Sequence, residues 1–103
     1  MELLCRNYRA GRGEIDLVFR QDGTLCFVEV KTRHRQRMGS PIDAIDSRKR
    51  ARLLATARQY LREIGSPRHL PCRFDAVEII FEKSRLVDVR HWQAIFPIPL
   101  DID

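Results

Sequence analysis

Four charged side chains on two neighbouring segments of the chain are the residues best suited to chemistry. Glu14 and Asp16 lie in the segment GEIDLVFR, and Glu29 and Lys31 lie in the segment TLCFVEVKTR. The dipeptide Asp22-Gly23 stands between the segments, and Asp-Gly flanked by alternating apolar residues is the strongest short-range signal of a β-hairpin. The two segments are therefore predicted to be adjacent antiparallel strands.

The turn at Asp22-Gly23 also predicts which residues face each other across the hairpin. With a two-residue turn, Asp16 lies opposite Glu29 and Glu14 lies opposite Lys31. Opposed residues share one sheet face, as do residues two apart on a strand, so the four groups converge on one patch. Opposed carboxylates repel each other unless a cation or a shared proton lies between them. The register therefore predicts a site rather than a set of unrelated surface charges.

The chemistry expected of this patch is metal-assisted chemistry on a phosphate. Hard cations such as Mg²⁺ are typically held by one or two carboxylates together with substrate phosphates and water, and Asp16 and Glu29 are the predicted ligands. Lys31 is placed to orient an attacking water or to stabilise charge on a phosphoryl oxygen. The alternative is a surface ion pair between Glu14 and Lys31. Apolar residues alternate with Glu29 and Lys31, which marks a strand inside a sheet and favours the site.

The motifs around these residues carry a family resemblance over nearly the whole chain. An Asp near the end of one strand, followed by Glu-x-Lys on the next, resembles the PD-(D/E)xK arrangement of restriction-endonuclease-like and Holliday-junction-resolvase-like nucleases. The combination of GEIDL and FVEVKTR more specifically resembles the YraN-like uncharacterised bacterial family. Further positions that fit this family are Asn7-Tyr8-Arg9, Lys49, Arg52-Leu53, Ala57, Tyr60-Leu61 and Arg73-Phe74-Asp75.

The wider resemblance implies a divalent-metal-dependent, endonuclease-like hydrolase. It implies that Asp16 and Glu29 bind Mg²⁺ or Mn²⁺ and that Lys31 assists hydrolysis of a phosphodiester, with Glu14 and Lys49 as additional candidates for the site. Relatives generally begin with a further helix whose Glu is an added metal or water ligand, whereas this chain starts almost at its first predicted strand. We therefore expect slow or undetectable hydrolysis by the chain as given. We also expect an uncovered apolar sheet face that includes Leu3, Ile15 and Leu17.

The pattern along the chain predicts a small α/β domain over residues 1–96, followed by a C-terminal tail at 97–103. Predicted strands lie at 3–9, 14–21, 24–33, 73–82 and 86–90. Apolar residues recurring every three or four positions predict a helix at 46–63, which ends before Gly65-Ser66-Pro67. The first three strands form an antiparallel β-meander. A right-handed crossover through the helix then makes the third and fourth strands parallel, giving a small mixed sheet like a restriction-endonuclease-like core.

Composition favours one core in a cytoplasmic protein with reduced thiols. The chain has 103 residues, of which 44% are hydrophobic, so it can bury a single core. No apolar stretch is long enough to cross a membrane, and residues 1–10 lack the apolar segment of a signal peptide. Cys5, Cys26 and Cys72 have no C-x-x-C spacing, so a disulfide framework, a zinc site and a catalytic thiol are all disfavoured.

Positive charge is the second functional signal. The net charge is +5, and nine Lys or Arg residues lie between positions 31 and 58 against two Asp residues. Arginine suits bidentate phosphate contacts, so the block predicts nucleic-acid binding, with DNA expected rather than RNA. A solvated loop and helix face is the alternative. The residues predicted to contact nucleic acid are Arg33, Arg35, Arg37, Arg48, Lys49, Arg50 and Arg52.

Three classes of function follow from these patterns. The first is a metal-dependent nuclease, and the second is a non-catalytic nucleic-acid-binding module with the same fold. The third is a protein-interaction domain, in which the uncovered sheet face recruits a partner protein or a second copy of the chain to form a homodimer. Motifs that read bases are absent from the sequence, so any nucleic-acid contact is expected to be made through the backbone, with strong salt dependence.

Overall fold

Alternating apolar residues and two tight turns generate the sheet, and the helical repeat supplies one crossover. The computed structural model describes residues 1–35, 45–65 and 70–98. Its elements are β1 (Glu2–Ala10), β2 (Gly13–Gln21), β3 (Thr24–His34), α1 (Ser47–Ile64), β4 (Cys72–Glu82) and β5 (Arg85–Trp92). Every predicted element is present. The described residues form a small α/β domain, compatible with a restriction-endonuclease-like core.

The strands form one mixed sheet in the order β1-β2-β3-β4-β5. Strands β3 and β4 are parallel, as predicted, and the other neighbouring pairs are antiparallel. Asp22 and Gly23 both have positive φ, at 52° and 78°, as a two-residue hairpin turn of the type I′ kind requires. The resulting register pairs Gln21 with Thr24 and continues to Leu17 with Val28, which confirms the predicted alignment over this stretch.

Helix α1 begins and ends at conventional caps. The side chain of Asp46 accepts a hydrogen bond from the Lys49 backbone N–H at 2.9 Å, and Gly65 ends the helix with a φ of 65°. The stripe that faces the sheet consists of Leu53, Thr56, Ala57, Tyr60 and Leu61. Among the described residues, no helix combines the length and the apolar character needed to cross a membrane.

An aromatic chain joins the helix to the centre of the sheet. Tyr60 makes an edge contact with Tyr8 at a ring-centroid distance of 5.1 Å and with Phe27 at 6.0 Å. Phe27 stacks on Phe74 at 5.2 Å, and Phe74 stacks on Phe96 at 4.8 Å. The core therefore extends past β5.

The segment after β5 closes one end of this core. The Ile95 backbone N–H donates to the Phe74 carbonyl at 2.8 Å, and Ile95 and Phe96 are buried. Ile98, inside the predicted tail, also packs against the core, and residues 99–103 lie outside the described part of the chain.

The sheet face opposite α1 retains exposed apolar side chains, but its membership differs from the expectation. Leu3 is 47% exposed and Leu17 is half-buried, whereas Ile15 is only 1% exposed because it packs in the core beneath the helix. The expectation that Ile15 lies on the uncovered face is therefore wrong. The reason is a break in the alternation of β2, which also shapes the candidate site.

Candidate functional site

Strands β2 and β3 diverge at the candidate site. Their ladder ends at the pair Leu17 and Val28, after which β2 remains paired with β1 and β3 remains paired with β4. The predicted pairs of Asp16 with Glu29 and of Glu14 with Lys31 lie beyond the end of that ladder. The hairpin therefore opens into a fork, and the charged residues lie at its mouth rather than in direct cross-strand opposition.

The fork begins where strands β1 and β2 lose their regular alternation of inward and outward side chains. Ile15 and Val18 both enter the core although they are three residues apart, and Cys5 and Tyr8 of β1 show the same spacing. Asn7, which lies between Cys5 and Tyr8, has a φ of 53°. A strand with unbroken alternation would place residues three apart on opposite faces. The break occurs at Asp16 and Leu17, so it frees Asp16 from the regular ladder.

Asp16 uses this freedom to bridge the fork. Its Oδ2 accepts a hydrogen bond from the backbone N–H of Val30 at 2.7 Å. The carboxylate thus takes the place of a strand carbonyl and fixes Asp16 next to the residue that follows Glu29. A charge-assisted bond of this kind is among the stronger hydrogen bonds in proteins, so Asp16 has a defined position.

Glu29 is the centre of the charge cluster. Its Oε1 forms an ion pair with the ammonium group of Lys49 and lies 3.5 Å from the Nζ of Lys31. The other oxygen, Oε2, is buried and has no hydrogen-bond partner among the described residues. An unsatisfied buried acceptor costs roughly 1–3 kcal/mol, which a cation or a water at this oxygen would offset. The structure therefore brings Lys49 to the predicted site.

The two lysines differ in proton affinity. The hydrogen bond with Lys49, together with burial, lowers the pKa of Lys31 below its ordinary value, and the attraction of Glu29 offsets only part of this. Burial acts to lower the pKa of Lys49, but hydrogen bonds to Glu29 and Lys31 raise it above its ordinary value. Of the two lysines, Lys31 therefore releases its proton first as the pH rises.

Glu14 lies near the site but is directed elsewhere. It forms an ion pair with Arg9 of β1 at 3.2 Å, and its side chain is 37% exposed. It also lines a cleft of about 170 Å³ together with Lys49 and Arg52. Arg12, in the turn between β1 and β2, lines the same cleft. Arg12 was not predicted, because the sequence gives no signal that this turn approaches the start of α1.

A third carboxylate, which the sequence patterns did not single out, lies on the same sheet face. Glu78 is the parallel-ladder partner of Lys31 and is fully buried. Its Oε2 lies 2.7 Å from Arg33 Nε, although the Arg33 N–H is not directed at it, so the contact is an ion pair. Trp92 Nε1 donates to its Oε1 at 2.7 Å. One available signal was Glu78 alternating with the buried Phe74 and Ala76.

Some of the basic side chains predicted to contact nucleic acid interact with other groups of the protein, and others are exposed. Arg35 pairs with Glu82 at 3.1 Å, and Arg50 packs over the Phe96 ring at 5.6 Å. Arg48 and Arg52 are exposed near the start of α1. Lys49 and Arg33 contact Glu29 and Glu78, as described above, and Arg37 lies outside the described residues. The structure therefore leaves Arg48 and Arg52 as the predicted cations most accessible to a polyanion.

The cluster offers a metal ion two carboxylates. Among the described residues, three or more His, Cys, Asp or Glu side chains nowhere converge as a metal cluster. Asp16 and Glu29 nevertheless fit a hard cation, since Mg²⁺ usually takes one or two carboxylates and completes its shell with phosphate and water. The buried Glu29 Oε2 supplies an acceptor without a donor. Lys49, which forms an ion pair with Glu29 Oε1, would compete with a metal ion for this carboxylate.

Cysteine chemistry is disfavoured within the described residues. Within the described residues, Cys5, Cys26 and Cys72 form no disulfide. Cys26 is buried, and burial raises the pKa of its thiol, with Arg73 opposing and Asp75 adding to the shift. A raised pKa reduces the thiolate fraction that nucleophilic attack requires.

Comparison with known proteins identifies the family. The model of the uncharacterised protein family UPF0102 matches residues 1–79. A UPF0102 protein of Nitrosococcus oceani is 45% identical over 84 residues, which cover 82% of this chain and 68% of the relative. A UPF0102 protein of Lachnoclostridium phytofermentans is also 45% identical over 86 residues, which cover 84% of this chain and 73% of the relative. For a UPF0102 protein of Nitrosomonas europaea the identity is 48%, with coverages of 77% and 65%. The chain belongs to the UPF0102 family, the YraN-like family that its motifs resemble.

Proposed function

We propose that the fork between β2 and β3 is the active site of a divalent-metal-dependent hydrolase that cleaves phosphodiester bonds in nucleic acid. The observation that carries this proposal is the buried Glu29 Oε2, which has no donor among the described residues, beside an Asp16 carboxylate fixed by Val30. Two ammonium groups lie at the same Glu29. Carboxylates that can hold a metal ion, with cations next to them, are groups that phosphoryl chemistry uses.

Each residue has a defined role in the proposed reaction. Asp16 and Glu29 would hold Mg²⁺ or Mn²⁺, and a bound ion would supply charge neutralisation at the phosphoryl oxygens. Lys49, paired with Glu29, would attract the phosphate. Lys31 would orient the attacking water or stabilise charge on a phosphoryl oxygen through its Nζ.

The start of α1 favours a polyanionic substrate. Arg48, Lys49 and Arg50 occupy its first turn, which contains no acidic residue. Cations at a helix N-terminus are unfavourable in the field of the helix, by roughly 0.3–1 kcal/mol each, whereas an anion at this position is stabilised. A phosphate backbone bound here would reverse that penalty. Nucleic acid is therefore the proposed substrate, and DNA is the first choice.

Metal binding and cleavage give the direct test. We expect calorimetry with Mn²⁺ to show saturable binding, and saturating Mn²⁺ to raise the melting temperature by mass action. Asp16→Asn and Glu29→Gln should lose both effects, whereas the exposed-carboxylate controls Asp88→Asn and Glu2→Gln should keep them. Lys31→Met should keep metal binding and lose cleavage of DNA. An unchanged response in Glu29→Gln would refute the metal site.

A non-catalytic nucleic-acid-binding module is the second candidate, and one contact favours it. Lys49 already neutralises Glu29 at Oε1, so an ammonium group can take the place of a metal ion. This alternative predicts salt-dependent DNA binding in the presence of EDTA, no heat of binding with Mn²⁺ and no cleavage. Saturable Mn²⁺ binding that requires both Asp16 and Glu29 would exclude it.

A further inference from the structure

Arg33, Glu78 and Trp92 form a buried polar cluster beside the proposed active site. Arg33 lies two residues beyond Lys31 on β3, so both side chains are on the same sheet face, about 6–7 Å apart along the strand. Glu78 is the ladder partner of Lys31 on β4. The cluster thus continues the site away from the fork, along the line Glu29, Lys31, Arg33.

Glu78 has an environment that core stability does not require. Its side chain is 0% exposed, and its contacts among the described residues are the Arg33 ion pair and the Trp92 hydrogen bond. Well-packed apolar residues usually replace a buried ion pair without loss of stability. A buried glutamate at this position therefore serves orientation more than it serves stability. The group that it orients is Arg33, whose side chain is 18% exposed.

The contact leaves one edge of the Arg33 guanidinium available. Glu78 lies against the Nε of Arg33, so this ion pair does not occupy the two Nη groups. A guanidinium presents five donors in a rigid fork, so one edge can be held by a carboxylate while another binds a phosphate. Arg35, two residues further on, differs because its Nη1 donates a hydrogen bond to the half-buried Glu82.

We propose that Arg33 binds a second phosphate of the substrate, next to the one that reacts, and that Glu78 is the positioning residue that holds Arg33 in place, with Trp92 fixing Glu78. This inference rests on the proposed function. It specifies the substrate class further: a polynucleotide with phosphates on both sides of a nucleoside uses the full site, whereas a diester with a single phosphate does not reach Arg33.

Two substrates separate this role from a structural one. With Mn²⁺ present, Arg33→Gln and Glu78→Gln should each raise KM for a DNA oligonucleotide about tenfold, as expected for the loss of one charge-assisted pair. Neither should change hydrolysis of bis(p-nitrophenyl) phosphate, which has one phosphate. The double variant should show no further loss, because Glu78 acts through Arg33. Arg20→Gln, which removes an exposed cation at the far end of the hairpin, should leave both substrates unaffected.

Further variants and a binding measurement keep the proposal testable if Glu78→Gln fails to fold. Trp92→Phe retains an aromatic ring and removes only the N–H donor, so it should raise the oligonucleotide KM without changing the single-phosphate reaction.

Equal losses on both substrates in Arg33→Gln would overturn the proposal. If the wild type cleaves neither substrate detectably, calorimetry with Mn²⁺ decides the proposed metal site, and oligonucleotide affinity in EDTA decides Arg33 separately. The salt slope should then fall by about one unit in Arg33→Gln, and an unchanged slope would overturn the inference.

Discussion

Lys31 and Lys49 are the same residue type at the same carboxylate, yet their surroundings shift their pKa values in opposite directions. Lys31, Lys49 and Lys83 are the only lysines of the chain. Lysine NMR signals can therefore be assigned by single substitutions. We expect Lys31 to titrate below 10.5 and Lys49 above it.

Substitution of Lys49 gives a signed prediction for Lys31. The hydrogen bond from Lys49 is the largest cause of the lowered Lys31 pKa, so Lys49→Met should raise the pKa of Lys31. Glu29→Gln should move it the other way, because the attraction of Glu29 supports the charged form. A titration of ¹³Cε-labelled lysine measures both shifts. If the pKa of Lys31 falls in Lys49→Met, Lys49 is not the cause of the lowered Lys31 pKa.

At the residue scale, the sequence predicted part of the charge cluster but not its contacts. The Glu-x-Lys motif and Asp16 were predicted as one patch, and the structure places Lys31 and Lys49 against Glu29. The hydrogen bond from Val30 to Asp16 could not be predicted, because a turn fixes a register only as far as the strands remain paired. Glu78 was missed for a different reason: a charged residue in an alternating strand is usually assigned to the solvent face.

At the scale of elements, the contact between β2 and α1 depends on one glycine. A Cβ at Gly13 would overlap the Oγ1 of Thr56 and lie 3.2 Å from the carbonyl oxygen of Arg52. Thr56 is buried and donates to that same carbonyl at 2.8 Å, so its side chain has little room to move. The helix can approach the start of β2, and so bring Lys49 to Glu29, only because residue 13 has no side chain.

Gly13→Ala should therefore destabilise the protein by about 1–3 kcal/mol, the usual cost of overpacking. Denaturant unfolding measures this change. Gly11→Ala is the matched control, because a Cβ there meets nothing within 4 Å and the expected cost is the strain of its φ of +58° alone. Thr56→Ala should recover much of the loss in a double variant, since it removes the atom that is overlapped. Additive losses in the double variant would contradict the proposed contact.

The ends of the helix and strands were predictable to within two residues, because each element has a local sequence signal. Alternation marked the strands, the three-or-four-residue repeat marked α1, and Asp22-Gly23 marked the hairpin. The end of the β2–β3 ladder has no local signal. It coincides with the break at Asp16 and with the packing of α1 on β2, both of which depend on residues distant in sequence. The fork is therefore a tertiary feature.

At the scale of the whole molecule, some basic side chains are paired with a carboxylate or an aromatic ring, whereas others are exposed to solvent. The net charge of +5 attracts a polyanion from any direction, and exposed arginines decide where it binds. Arg35 and Arg50 are partly committed to Glu82 and Phe96, so counting basic residues along the sequence overstates the binding surface. Arg48 and Arg52, near the start of α1, are both exposed, and Arg52 lines the cleft that Glu14 and Lys49 also line.

Replacing Arg48 and Arg52 together by Gln should weaken DNA binding without unfolding the protein. Each lost phosphate contact reduces the slope of log affinity against log salt by about one unit, so the double variant should lose about two. Fluorescence anisotropy over a range of salt concentrations measures the slope. Affinity should fall equally for unrelated DNA sequences, because phosphate contacts carry no base information. Arg20→Gln is the control for lost charge alone, and an unchanged slope in the double variant would make Arg48 and Arg52 part of a solvated helix face.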